Sequence, residues 1–262
     1  MKKNIFLTAF VLFASLVFSH ECFIFAHKFV VVQGDDLELH LFIADGLNIQ
    51  QEKAFKKSVT HKFDLINENG TKDLLQTTNE GQLPVANIKV DFKGQGLLVM
   101  ERNAVEITLS NQKFAEYIKE DHVENIKINF TKTSQKETYT RYIKSLVQSN
   151  FKPSDSLFKA RVGAKFEIVL LQNPYLLKIG ERLQAQIFFN GKPLPNKVIT
   201  ARNRLGAEPA NSQTARTDAS GICQFTVKRR GDWLLHVTHM VPCADPKTAD
   251  WESFWATFTF GI

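Results

Sequence analysis

Asn190–Ala201 reads NGKPLPNKVITA and Thr217–Val227 reads TDASGICQFTV, and these two stretches decide the fold class. In each, a turn rich in Gly, Asn, Asp or Pro leads into a short run in which β-branched or aromatic residues alternate with polar ones, the pattern of a half-buried strand. The same grammar extends to both sides. Upstream, Leu183–Phe189 reads as a strand ending at Asn190-Gly191. Downstream, Gly231-Asp232 precedes a strand over Trp233–Met240, and Trp251, Phe254 and Trp255 mark a last strand. Short strands at this spacing, separated by Gly and Asp turns, predict an all-β, Ig-like sandwich.

The N-terminal part follows the same rule with weaker punctuation. Lys28–Ile43 alternates in two runs around Gln33-Gly34-Asp35-Asp36, placing Phe29, Val31, Leu37, Leu39 and Leu41 on one face. Further strands are predicted at His61–Ile66, Ile88–Phe92, Gly96–Met100 and Lys165–Leu171. One short helix is expected over Asn111–Lys119, where Phe114, Tyr117 and Ile118 fall at helical spacing behind Ser110 as N-cap. Glu137–Gln148 fits a helix face through Tyr139, Tyr142, Ile143 and Leu146, but its TYTRYI core favours a strand. Ser149–Ser156 carries Pro153 and reads as a loop, and a domain change is expected near Gln172.

At the start of the chain, Lys2 and Lys3 precede an apolar run from Ile5 to Phe18, then Ser19 with Val17 two positions before it. That is the pattern of a cleavable secretory signal peptide. The run is short for a membrane span of about 20 residues, so no stable anchor is expected after cleavage. Glu21 in front of Cys22 argues against lipidation, and cleavage is expected after Ser19. His20 would then open the mature chain, its free amine (pKa about 8) and imidazole (about 6.5) forming a bidentate chelate. The 262 residues carry a formal charge of +6, which falls to +4 without Lys2 and Lys3 (31 basic against 27 acidic). The charges are interspersed, and Lys228–Arg230 reads as a solvated hairpin end, so no nucleic-acid partner is expected. Cys22, Cys223 and Cys243 allow one disulfide and a leftover thiol, in any of three pairings.

The stretches GKPLPNKVITA and TDASGICQFTV resemble transthyretin-like or carboxypeptidase-regulatory-like modules of exported proteins. More widely, three passages resemble the DUF4198 family of periplasmic proteins, whose members are often described as nickel or cobalt uptake proteins. They are HECFIFAHKFVVVQGD from His20, the junction running through GAKFEIVLLQNPYLLKIGERLQAQIFFNGKPLP, and GDWLLHVTHMVP with DPKTADWESFWATFTF. Phe23, Ala26, Gln33 and Cys22 depart from the residues usual in that family, whereas His20, Glu21, His239 and Met240 stand in matching positions. Taken together, these readings predict a signal peptide over residues 1–19, an N-terminal β-rich domain over 20–171 and a C-terminal Ig-like or transthyretin-like β-sandwich over 172–262.

The family resemblance implies a periplasmic protein that binds nickel or cobalt, with copper possible on the same chemistry, and assists uptake by a membrane transporter. In the strand Trp233–Met240, alternation puts Trp233, Leu235, Val237 and His239 on one face, leaving His239 the titratable group at the end of an apolar row. A hydrogen-bonded core histidine explains that equally well. The candidate metal site joins His20 and His239, with Met240, Cys243, Glu21 or Glu252 completing it; imidazole, thioether and thiolate suit nickel, cobalt or copper. His236 faces the other way and is assigned no role, nor are His27, His40, His61 and His122. There is no His-Glu-x-x-His pair, Gly-x-Ser-x-Gly elbow, phosphate-binding Gly loop or Cys-x-x-Cys pair, so the protein is not expected to be an enzyme. The competing reading is a structural or adhesive exported sandwich that binds a protein or carbohydrate.

Overall fold

The computed structural model describes residues 21–152 and 155–262; the apolar leader and His20 lie outside them. The first half runs β1 (Glu21–Ala26), β2 (Val30–Val31), β3 (Asp36–Asp45), β4 (Asn48–Glu52), β5 (Thr60–Asn67), β6 (Gly70–Asp73), a one-turn helix α1 (Leu74–Thr77), β7 (Ala86–Lys89), β8 (Gly94–Arg102), β9 (Val105–Ser110), α2 (Asn111–Glu120) and β10 (Ser134–Ser149). The second runs β11 (Phe166–Leu170), β12 (Arg182–Phe189), β13 (Lys192–Pro193), β14 (Val198–Arg204), β15 (Asn211–Arg216), β16 (Ile222–Thr226), β17 (Asp232–Pro242) and β18 (Trp251–Gly261). The chain is mainly β, as its turns and alternation predict. Ser110 caps α2 through its Oγ, which accepts the Lys113 N–H at 3.3 Å. Glu137–Gln148 is a strand, whereas α1, capped by Asp73, has no periodicity in the sequence to reveal it.

The strands form three layers. A four-stranded sheet places β3 between β1 on one side and β4 and β7 on the other, and a second puts β12 between β11 and the pair β13 and β16. Between them lies a ten-stranded sheet whose main path is β15-β14-β17-β18-β10-β8-β5-β6. The halves of the chain meet inside this sheet, where β18 runs parallel to β10 with Glu137 opposite Trp251 and Ser145 opposite Thr259. β11, on the N-terminal side of residue 171, is hydrogen-bonded to β12 throughout its length.

Because side chains alternate along a strand, the central sheet feeds two cores. Leu97, Val99, Tyr142 and Leu146 face β11 and β12 and pack with Phe166, Ile168, Trp233 and Phe258. Leu98, Met100, Ile143 and Val147 face the other way and pack with Leu37, Leu39 and Leu41. A smaller cluster seats Phe114 and Tyr117 of α2 on Met240, Trp251 and Trp255. Cys22 and Cys223 are buried in separate cores, and all three cysteines are unpaired. No helix among the described residues is long and apolar enough to cross a membrane.

Lys144 and Glu167 are charged residues buried between the central sheet and β11, and their partners explain how. Lys144 Nζ donates to Glu167 Oε2 at 2.8 Å, to the Ile168 carbonyl at 3.1 Å and to the Ala160 carbonyl at 3.2 Å. Glu167 in turn accepts Arg161 Nε at 2.7 Å and the Val162 N–H at 3.1 Å. The cluster ties the central sheet to β11 with its donors and acceptors matched. Lys144→Met should therefore destabilise the protein by about 3–5 kcal/mol in urea unfolding, and the added change Glu167→Leu should recover most of it. A single-variant cost below about 1 kcal/mol would show that the pair does not hold the layers together.

Candidate functional site

The outer face of β17 is covered at two places and open between them. β1 lies across the sheet at one end, where Thr257 and Thr259 hydroxyls donate to the carbonyls of Cys22 and Ile24 at 3.0 and 2.6 Å. α2 covers the other end over Met240 and Trp251. Between the start of β1 and the end of α2 is a cleft of about 440 Å³. Glu21, Asp45, Glu120 and Asp121 line its walls, and Thr200, Arg202, His236 and Thr238 its floor. Four carboxylates against one guanidinium, beside the C-terminal end of a helix, give the cleft a net negative lining.

Glu21 is fixed from both sides. Its Oε2 accepts the Gly46 N–H at 2.8 Å, and its Oε1 is paired with Arg202. Gly46 has φ +62°, and a Cβ there would run into the Arg202 side chain, so the β3–β4 turn needs glycine for its backbone and for the close approach.

His236, 5% exposed, sits beneath Glu21 with Nδ1 at 3.6 Å from Oε1. Burial, reinforced by Arg202, Arg141 and His122, pushes its pKa down to about 3. The ring is neutral at physiological pH, and its contact with Glu21 is not an ion pair. Its tautomer follows from its other nitrogen. Thr238 Oγ1 donates its one proton to Asp121 Oδ2 at 2.7 Å, so at 3.2 Å from His236 Nε2 it can only accept. Nε2 therefore carries the hydrogen, and Nδ1 presents a lone pair toward the Glu21 carboxylate. A carboxylate acting through a second group to orient an imidazole is the usual support of a metal-binding histidine.

Of the residues expected from sequence, Glu21 lies in this cleft, and His239, Met240, Cys243 and Glu252 fall elsewhere. His239 is on the inner face of β17, its ring 4.5 Å from Phe189, 6.1 Å from Phe166 and 6.4 Å from Phe254, with Nδ1 buried and unbonded among the described residues. Met240, the next residue, faces α2 and is fully buried. Cys243 lies past the end of β17, with its N–H on the Asp250 carbonyl at 3.0 Å, and Glu252 Oε1 is 3.3 Å from Lys165 Nζ. Alternation along one strand thus separates His239 from Met240, and Glu21 lies with His236 rather than with His239. His20 is outside the described residues, and among these no group of three His, Cys, Asp or Glu is arranged to hold a metal. Trp233–Met240 did contain the signal for His236. In the run WLLHVTHM the set that holds His236 and Thr238 is flanked by apolar Leu234 and Met240, as in a strand covered in part on that face too.

The fold and the cleft define a β protein of two sandwiches sharing a central sheet, with an acidic pocket at the start of its first strand. The chain belongs to the DUF4198 family, a domain of unknown function whose model matches residues 17–241. No curated protein matches it. It is similar to a tetra-tandem repeat in the extending region of a large adhesion protein, at 11% identity and TM-score 0.22, covering 92% of this chain and 49% of that one. The D0-D1 domain of intimin overlaps at 11% identity and TM-score 0.21, covering 92% and 98%. Dimeric latent PorU from Porphyromonas gingivalis overlaps at 12% and 0.19, covering 92% and 20%. The chain thus spans about half of the adhesion-protein repeat, and superpositions this loose define no shared site.

His239 provides a pH test of the inner face. Burial, with Lys197 adding to it, pushes its pKa down to about 4, so between pH 6.5 and 4 the unfolded ring binds a proton that the folded ring does not. Stability should fall across that window by about 1 kcal/mol per pH unit from this group. His239→Leu should reduce that slope in denaturant melts while leaving stability at pH 7 equal or higher; an unchanged slope would contradict the burial argument.

Proposed function

We propose that the cleft binds a divalent transition-metal ion as cargo, with His236 Nδ1 and the Glu21 carboxylate as its protein ligands. The amine and imidazole of His20 complete the set once an export signal is removed. The observation that carries this reading is the neutral, oriented His236, whose lone-pair nitrogen is 3.6 Å from a carboxylate oxygen with its own proton directed away to Thr238. Two such donors at that separation suit one ion about 2.0–2.2 Å from each. A histidine whose pKa is about 3 keeps its lone pair available at any pH above that, so proton competition in this site comes from the His20 groups.

The donor set of imidazole, amine and carboxylate fits nickel, cobalt, copper or zinc better than calcium or magnesium. Nickel or cobalt is our choice, on the family resemblance, together with a periplasmic location and transfer to or from a membrane transporter. A cleft open to solvent at the start of the first strand agrees with a cargo that must leave again. This places the second ligand on His236 rather than on His239, and leaves Met240, Cys243 and Glu252 outside the site.

The test is metal content by mass spectrometry, with calorimetric titration of nickel, cobalt, copper and zinc, on protein exported so that it starts at His20. Binding at one ion per chain is expected to weaken at least tenfold in His236→Gln and in a form with one extra N-terminal residue, and to survive in His239→Ala. No binding tighter than about millimolar, or binding indifferent to His236→Gln, would leave a structural or adhesive sandwich as the better account.

A further inference from the structure

The same carboxylate that faces His236 is already neutralised. Arg202 Nη1 pairs with Glu21 Oε1, the oxygen 3.6 Å from His236 Nδ1. The other end of the guanidinium, Nη2, is 3.7 Å from Asp45 Oδ1, too long for a hydrogen bond. Glu21 is 4% exposed at its side chain, Asp45 65%. The guanidinium thus stands between a buried carboxylate that it satisfies and an exposed one that it only approaches. It crosses from one to the other over Gly46, where any side chain would block it. Gly46 meanwhile holds Glu21 Oε2 by its N–H at 2.8 Å, so the carboxylate stays in place whichever cation takes Oε1.

A divalent ion on Glu21 Oε1 and His236 Nδ1 would lie within a few ångströms of the guanidinium. Two cations that close, in a partly desolvated site, repel strongly, and leaving Glu21 buried with no cation is also costly.

We propose that Arg202 is an internal counter-cation, which occupies Glu21 while the cleft is empty and moves onto Asp45 when a metal ion takes its place. This rests on the metal-binding reading and adds what regulates the site. The displacement lowers affinity, so the cargo can be released, and it favours divalent ions, which gain more from Glu21 than a monovalent ion or an organic amine does. No bond is made or broken and charge balances: the incoming ion replaces the guanidinium at Glu21, and the guanidinium replaces solvent at Asp45.

The experiment is calorimetric titration of cobalt and nickel into wild type, Arg202→Gln and Asp45→Asn, each starting at His20, with thermal melts of the metal-free proteins. Arg202→Gln is expected to bind about tenfold or more tightly than wild type, and Asp45→Asn several-fold more weakly with an unchanged melt. In metal-bound crystals the Arg202–Asp45 separation is expected to close from 3.7 Å to hydrogen-bond length, below about 3.2 Å. Metal binding in wild type that is unchanged in both variants, or Arg202 still on Glu21 in the bound crystal, overturns the inference and leaves the metal site standing. If Arg202→Gln does not fold, Asp45→Asn and the bound crystal decide. Absence of metal binding in wild type overturns the metal reading, and the inference with it.

Discussion

The parallel pairing of Glu137–Ser145 with Trp251–Thr259 is the constraint on which the rest of this molecule depends. It fuses the sheets of the two halves into one, and so gives β8, β10, β17 and β18 neighbours on both faces. Parallel pairing requires a long crossover, here the whole second half of the chain between β10 and β18. From Tyr142 onward its hydrogen bonds are made among buried residues, where an unpaired backbone group would be costly. The consequence is visible along β17, where eight consecutive residues from Trp233 to Met240 are buried although the strand carries two histidines and a threonine.

From that constraint the cleft follows. β1 pairs with β3 and also lies over β18, so the chain's first described residue, Glu21, comes down beside β17. α2 is held over the other end of the same face by Tyr117, whose hydroxyl donates to the buried Glu137 at 3.0 Å. The gap between the two covers is floored by the buried His236. Its neutrality is a product of burial, and its tautomer a product of Thr238 and Asp121, so sheet, helix and site form one structure. The acidic walls, and the one arginine that answers them, then set what the gap can hold.

Much of the fold was legible in the sequence because turn chemistry and alternation are local signals. The turns at Asn190-Gly191 and Asp218–Gly221 and the Ser110 cap lie where the residues put them. The joining of the halves was not legible, since a parallel pairing between residues more than a hundred positions apart leaves no mark in either strand beyond high apolarity. The site suffered from the same gap. Alternation correctly set His236 and His239 on opposite faces of one strand, but which face meets the start of the chain depends on where β1 lies, a tertiary fact. His239 at the end of an apolar row is a core residue among phenylalanines. The neighbouring row with His236 and Thr238 reads as an outward, solvent-exposed face, because only the tertiary fold shows that β1 and α2 cover it. Arg202 gave no signal, because its partners Glu21 and Asp45 are distant in sequence.

The most direct test of this account is anomalous diffraction at the cobalt edge from crystals of the protein beginning at His20 and grown with cobalt. The account predicts one peak in the acidic cleft, about 2.0–2.2 Å from His236 Nδ1, with Glu21 in its coordination sphere. A peak instead at His239 or Cys243, or an empty cleft in crystals of protein that binds cobalt stoichiometrically in solution, would contradict it.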